Sequence, residues 1–128
     1  MSRDYKKLEV WKKAHQLVVK VYEVTKNFPS SERLGIISQM RRAAVSIPAN
    51  IVEGATRKGQ KEYCYFLYNA LSSCNELGYH FYLARELKFM GEKESKQMDE
   101  QCVQVSKMLQ GLIGCIQKDL SQKPKAND

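Results

Sequence analysis

The side chains able to do chemistry in this chain are few and scattered. Cys64, Cys74, Cys102 and Cys115 show no CxxC spacing, and only His15 and His80 stand beside them as further soft ligands. A four-ligand zinc site would have to gather its donors from distant turns without a local signature, so no metal is expected. The cysteines read instead as small buried hydrophobes or inert surface thiols. Nucleophilic chemistry finds no better footing. Ser46 has no histidine at helical reach, and Cys74 lies six residues before His80, off the same helical face. Glu53 and Glu62 lie on opposite sides of a loop and form no carboxylate pair. No glycine-rich phosphate loop follows a strand. His15 sits at the edge of an apolar arc and His80 on a helix flank, so both read as packed or half-exposed histidines. The expectation is a protein without catalytic residues or a cofactor.

Charge and aromatic surface remain. Residues 1–62 hold thirteen Lys and Arg against six Asp and Glu, whereas residues 63–128 hold eight of each. The whole net charge of +7 therefore lies in the first half. Such asymmetry fits an anionic partner, nucleic acid above all, or a solubility surface. Two groups of cations are candidates for nucleic-acid contact. Lys12, Lys13 and Lys20 share the polar face of the first helix; Arg41, Arg42, Arg57, Lys58 and Lys61 lie on the second helix and its exit loop. The run Arg57 to Lys61 also suits a helix C-terminus, where cations oppose the dipole. Arg42 and Glu53 share one wheel face, which leaves an intersubunit ion pair open beside RNA contact. Tyr65, Tyr68, Tyr79 and Tyr82 form an aromatic stripe that itself holds no Lys or Arg. It reads as a subunit interface or as a stacking platform for single-stranded bases; the absence of cations favours the interface.

At 128 residues and 14.8 kDa the chain is one domain, long enough to bury a core unaided. It is 43% hydrophobic and 27% charged, an ordinary globular mix. No apolar run approaches the length of a membrane span. The N-terminal stretch MSRDYKKLEVWKK has no apolar h-region, so a cytoplasmic address is expected.

Four segments with helical period must position these side chains. The first spans about residues 5–27, with an apolar arc from Leu8 to Val24 about 200° wide at roughly 100° per residue, more than one bundle neighbour needs. Phe28-Pro29 stops it. The second follows Pro29, with Ser30 or Ser31 as N-cap and Glu32 in its first turn. Its stripe is Ile36, Met40, Ala43, Ala44, Ile47 and Ile51. Pro48 falls inside, so a kink near residues 44–48 is expected in one continuing helix, with Ser46 or Asn50 serving the carbonyl of Ala44 that proline frees. Gly54 or Gly59 should end it. The third runs from Gln60 to Met90 on Tyr63, Phe66, Leu67, Ala70, Cys74, Leu77, Phe81 and Ala84, with Gly91 as C-cap. The fourth, residues 95–120, carries a heptad seam of Met98, Cys102, Val105, Leu109, Leu112 and Ile116. Its Gly111 and Gly114 would permit close helix contact. The result is an all-α, up-down antiparallel four-helix bundle over residues 1–121, with helix two kinked at Pro48, and a disordered tail at 122–128.

The least ordinary stretch is Arg41 to Gly54, RRAAVSIPANIVEG, which concentrates Ala43, Ala44, Ser46 and Ala49 on one helix. A tightly packed, kinked core helix explains most of it. The same stretch closely resembles the hallmark of a four-helix-bundle family encoded within intervening sequences of bacterial 23S ribosomal RNA genes. Leu8, Trp11 and Ala14 resemble that family's first helix, Phe28, Pro29 and Glu32 its first turn, and Gln39 precedes the arginine pair as it does there. Phe66-Leu67, Ala70, Ser73, Glu76 and Leu77 resemble its third helix. Ser72 departs from the family, which usually has glycine there, and the fourth helix matches only in apolar spacing. The resemblance implies a four-helix bundle, often a ring-like homopentamer. It also implies a more distant similarity to the accessory proteins of diversity-generating retroelements, which bind nucleic acid and a reverse transcriptase. The expected function is a non-enzymatic homo-oligomer whose basic surface engages RNA or other nucleic acid; the alternative is a scaffold for a protein partner, without a membrane role in either case.

Overall fold

Each apolar stripe becomes a helix in the computed structural model, which describes residues 3–122. Helix α1 spans Glu9–Thr25, α2 Ile36–Ala55, α3 Gln60–Glu86 and α4 Glu92–Gln122. Among the described residues there is no strand. The bundle expected from periodicity is the bundle found, with several ends moved.

The start of α1 moves because Tyr5–Lys7 forms a separate 3-10 turn, where the Asp4 carboxylate accepts from the Lys6 amide at 3.2 Å and Leu8 is extended. Helix α2 begins later than its cap signals implied. Ser30–Glu32 is a 3-10 turn of its own, and the Glu32 carboxylate reaches forward to the Ile36 amide at 3.5 Å. Neither serine caps α2; Gly35 precedes it without a side-chain cap. Helix α2 then runs unbroken through Pro48. Gly54 does not end it. A Cβ at Gly54 would lie 2.9 Å from the Tyr63 ring and 3.0 Å from Phe66 Cβ, so glycine here permits the close approach of α2 and α3. Helix α3 ends sooner than expected, at a Schellman-type turn. The Phe89 amide donates to the Ala84 carbonyl at 2.8 Å and the Lys88 amide to Arg85 at 2.9 Å. Lys88, not Gly91, is the left-handed residue, with φ of 64°. The carbonyl of Gly91 instead accepts the Ser95 amide in the first turn of α4.

Contacts run in opposite directions along neighbouring helices. Arg41 meets Thr25 and Tyr22 late in α1, whereas Arg57 beyond α2 meets Arg3 ahead of α1. Ser46 meets Ser73, and Gly54 meets Tyr63. On α3 and α4, Phe81 faces Ser95, Cys74 faces Cys102, and Tyr68 faces Gln117. Lys13 and Lys20 of α1 share a groove with Gln101 and Gln104 of α4, which closes the ring of four.

The core between them holds Leu17, Val21, Met40, Ile47, Ile51, Tyr63, Leu67, Leu77, Phe81, Met98, Leu109 and Ile116, all essentially without exposure. Each such large apolar side chain contributes about 1.5–3 kcal/mol through burial. On α4 the seam is as expected except that Ile113 is buried and Leu112 only partly so. A Cβ at Gly111 or Gly114 would meet nothing within 4 Å, so neither glycine serves a close helix contact. Helix α4 includes Gln122, which had been assigned to the tail; the remainder of that tail lies outside the described residues.

Candidate interaction surfaces

The basic half of the sequence becomes α1 and α2, which pack side by side, with the 3-10 turns ahead of each, the α2–α3 turn and the first residues of α3. Its cations do not gather into one patch. Lys12 pairs with Glu9 at 3.2 Å and Lys20 with Glu23 at 3.9 Å, one turn along on the same helix. Lys13 and Lys20 line a shallow α1–α4 groove of about 330 Å³ with Gln16, Gln101 and Gln104. Arg41 is half-buried: its Nε donates to Thr25 Oγ1 at 2.8 Å, and its guanidinium stands 4.5 Å from the Tyr22 ring centre. Arg42 is exposed in an α2–α3 groove with Gln39, Ser46, Ser73 and Glu76. Arg57 pairs with Glu53 at 2.9 Å and covers Phe66, and its carbonyl accepts from Arg3. Within the protomer the partner of Glu53 is thus Arg57, just beyond α2, and not Arg42. Lys58 and Lys61 are exposed at the α2–α3 turn. Among the described residues, Lys58, Lys61 and Arg42 form no ion pair within 4 Å.

The tyrosine stripe is open to solvent. Tyr65, Tyr68, Tyr79 and Tyr82 are 62%, 46%, 58% and 51% exposed. Two of the hydroxyls are engaged: Tyr68 accepts from Gln117 of α4 at 3.0 Å, and Tyr82 donates to Glu86 at 3.2 Å. One feature escaped the sequence reading. Arg85, three residues on, lies 5.1 Å from the Tyr82 ring centre, so a cation does border the stripe.

The small-residue stretch of α2 makes a polar seam with α3. Ser46 Oγ and Ser73 Oγ are 2.8 Å apart, and Asn50 Nδ2 donates to both the Ser46 carbonyl and its hydroxyl, at 2.8 and 3.0 Å. Asn50 thus serves Ser46, not the Ala44 carbonyl that proline frees. Ser46 has a serine and an amide as partners and no base.

The histidines divide. His15 is exposed and stacks on Trp11, ring centres 5.3 Å apart. His80 is buried, its Nε2 3.0 Å from the Glu76 carboxylate, while Nδ1 has no partner. No group of three or more His, Cys, Asp or Glu side chains comes together among the described residues. Burial pushes the Tyr63 phenol above its ordinary range, with Arg3 partly opposing, and burial raises the Cys64 thiol. No helix among the described residues is long and apolar enough to cross a membrane.

An antiparallel bundle with a small-residue helix running through Pro48, dispersed cations on its first half and an exposed aromatic helix face defines a class of small all-α proteins. The sequence profile of the 23S rRNA-intervening sequence protein family matches residues 6–111, and the chain belongs to that family. Among solved structures it is similar to a crystal structure of a protein of unknown function from the S23 ribosomal protein family of Bacteroides thetaiotaomicron, with a TM-score of 0.77 and 21% identity, covering 82% of this chain and 95% of that one. That likeness is one of fold. No curated protein matches the chain.

Proposed function

We propose that this protein is a non-enzymatic, homo-oligomeric helical bundle that engages RNA or other structured nucleic acid through the α1–α2 side and the α2–α3 turn. The observation that carries the reading is the placement of charge: the whole excess of +7 belongs to residues 1–62, with +2 of it on α1 and α2 together and the rest on the segment before α1, the α1–α2 connection and the α2–α3 turn into the start of α3. No helix-turn-helix, zinc finger or aromatic RNP stretch offers base readout, so recognition is of backbone charge and shape. Arg42, Lys58 and Lys61, exposed and without ion pairs, are the first contacts to test, with Lys12, Lys13, Lys20, Arg41 and Arg57 around them. Assembly through the α3 tyrosines, as a ring-like pentamer by the resemblance above, would repeat a modest patch and raise avidity without new contacts.

The test is binding to unrelated RNAs across a salt series. Wild-type affinity should fall steeply between low and moderate salt. Replacing Arg42, Lys58 and Lys61 together with Gln should weaken all the RNAs alike and flatten the slope. Replacing Lys93, Lys96 and Lys107 in the neutral half should change little. Equal effects of the two sets, or salt-independent binding, would overturn this reading. The second reading, a scaffold for a protein partner, would then stand on the exposed tyrosines of helix α3, whose net charge is only −1.

A further inference from the structure

Cys74 and Cys102 look unrelated in sequence, 28 residues apart on different helices. In the bundle they face each other across the α3–α4 seam, Sγ to Sγ 3.3 Å. Each sulfur also lies 3.1 Å from the other residue's carbonyl oxygen, so the pair is held in a nearly reciprocal arrangement. Both are buried, at 1% and 3% exposure. They are not sealed, however. A groove of about 170 Å³ opens onto them between α3 and α4, bordered by Asn75, Gly78, Asp99 and Ser106. The other two thiols lack this setting: Cys64 is buried alone on α3, and Cys115 is exposed on α4.

We propose that Cys74 and Cys102 form an oxidative modification site, joined into a disulfide within the folded bundle by a hydroperoxide the size of hydrogen peroxide. The sulfurs need approach by only about 1.3 Å to reach bonding distance, a shift within the reach of side-chain rotation and small helix adjustment. Either thiol can donate to the other across the 3.3 Å contact, and burial disfavours the thiolate at both. Asp99, at the groove mouth, disfavours the thiolate at both sulfurs. The sulfur that meets the peroxide as thiolate is the attacking one, and its neighbour, already in contact, resolves it.

The chemistry balances with peroxide as the sole oxidant. The thiolate of one cysteine attacks one peroxide oxygen, the O–O bond breaks, and a sulfenic acid and hydroxide result. The other cysteine of the pair then attacks the sulfenic sulfur, the S–S bond forms, and the S–O bond breaks. Both thiol protons leave in two molecules of water, and two electrons have passed from sulfur to oxygen. The product staples α3 to α4 midway along their contact.

The experiment treats the folded, full-length protein with limiting hydrogen peroxide, then alkylates remaining thiols under denaturing conditions. The expected product lacks two hydrogens, keeps only two of its four thiols alkylatable, and yields a peptide linking Cys74 to Cys102. A Cys64→Ser/Cys115→Ser variant should form the link at an undiminished rate, and Cys102→Ala should not form it. The oxidised form should melt higher by roughly 10 °C, because the bond closes a long loop in the unfolded chain. Linkage that appears only in denaturant would overturn the proposal. So would oxidation confined to Cys115, seen as covalent dimers, with Cys74 and Cys102 still fully alkylatable.

Discussion

Lys88 holds the left-handed position that ends α3, and its side chain has no part in the turn that requires it. A lysine there bears a backbone cost of about 1 kcal/mol that glycine would not. Lys88→Gly is expected to raise unfolding free energy by about that amount, read from urea midpoints at unchanged slope, with Lys88→Asn giving a smaller gain. Gly54 is the opposite case. Its missing Cβ is what lets α2 lie against Tyr63 and Phe66, so Gly54→Ala should destabilise by about 1–3 kcal/mol as the two helices are pushed apart. Neither role was legible in the sequence. Gly91 drew the C-cap assignment because glycine is the usual left-handed residue, and nothing marks a lysine for that conformation. Gly54 resembled a helix terminator because its constraint comes from a helix that starts after it.

At the scale of elements, the four apolar stripes were readable because burial enforces a period, and a period survives in one dimension. Polar pairings across a seam leave no such trace. Ser46 and Ser73 are 27 residues apart, and only the antiparallel packing of α2 on α3 brings their hydroxyls together. The start of α2 was misplaced because Ser30, Ser31 and Glu32 carry the chemistry of a helix N-terminus and use it in a 3-10 turn. The seam itself can be tested. Ser46→Ala removes the partner of Ser73 Oγ and one of the two acceptors of Asn50 Nδ2, leaving the backbone carbonyl, and should cost about 1 kcal/mol, since the adjoining groove lets water replace part of the loss. Ser73→Ala should cost a similar amount. The double variant should cost less than the two added together, because both single changes break the same bond; strict additivity in thermal or urea unfolding would show that the hydroxyls do not interact.

At the scale of the whole molecule, the sequence left two apolar surfaces in excess of what one bundle can bury. One of them is mostly settled within the protomer. The wide arc of α1 is covered in part by the chain's own edges: Tyr5 packs edge-on against Trp11 at 5.1 Å, and Arg41 lies over Tyr22, which stays 39% exposed. The other is not. The outward face of α3 keeps four tyrosines about half-exposed along its length, and aromatic area of this kind is concentrated in protein interfaces. That face adjoins α4 and holds little net charge, whereas the basic excess belongs to residues 1–62, chiefly to the segments that flank α1 and α2, so assembly and nucleic-acid contact would draw on different parts of the chain. Assembly is thus expected to be separable from charge. Light scattering at micromolar concentration should give a mass several times the 14.8 kDa protomer. Tyr68→Lys with Tyr79→Lys should lower it to that of one chain, because two desolvated cations would face their symmetry mates across the interface. Helical circular dichroism should persist in that variant, since neither tyrosine belongs to the core. Replacing Arg42, Lys58 and Lys61 with Gln should leave the mass unchanged. A monomeric wild-type protein would remove the oligomer from the proposed function, and a charge variant that dissociates would show that the basic residues hold subunits together and are not left free for RNA.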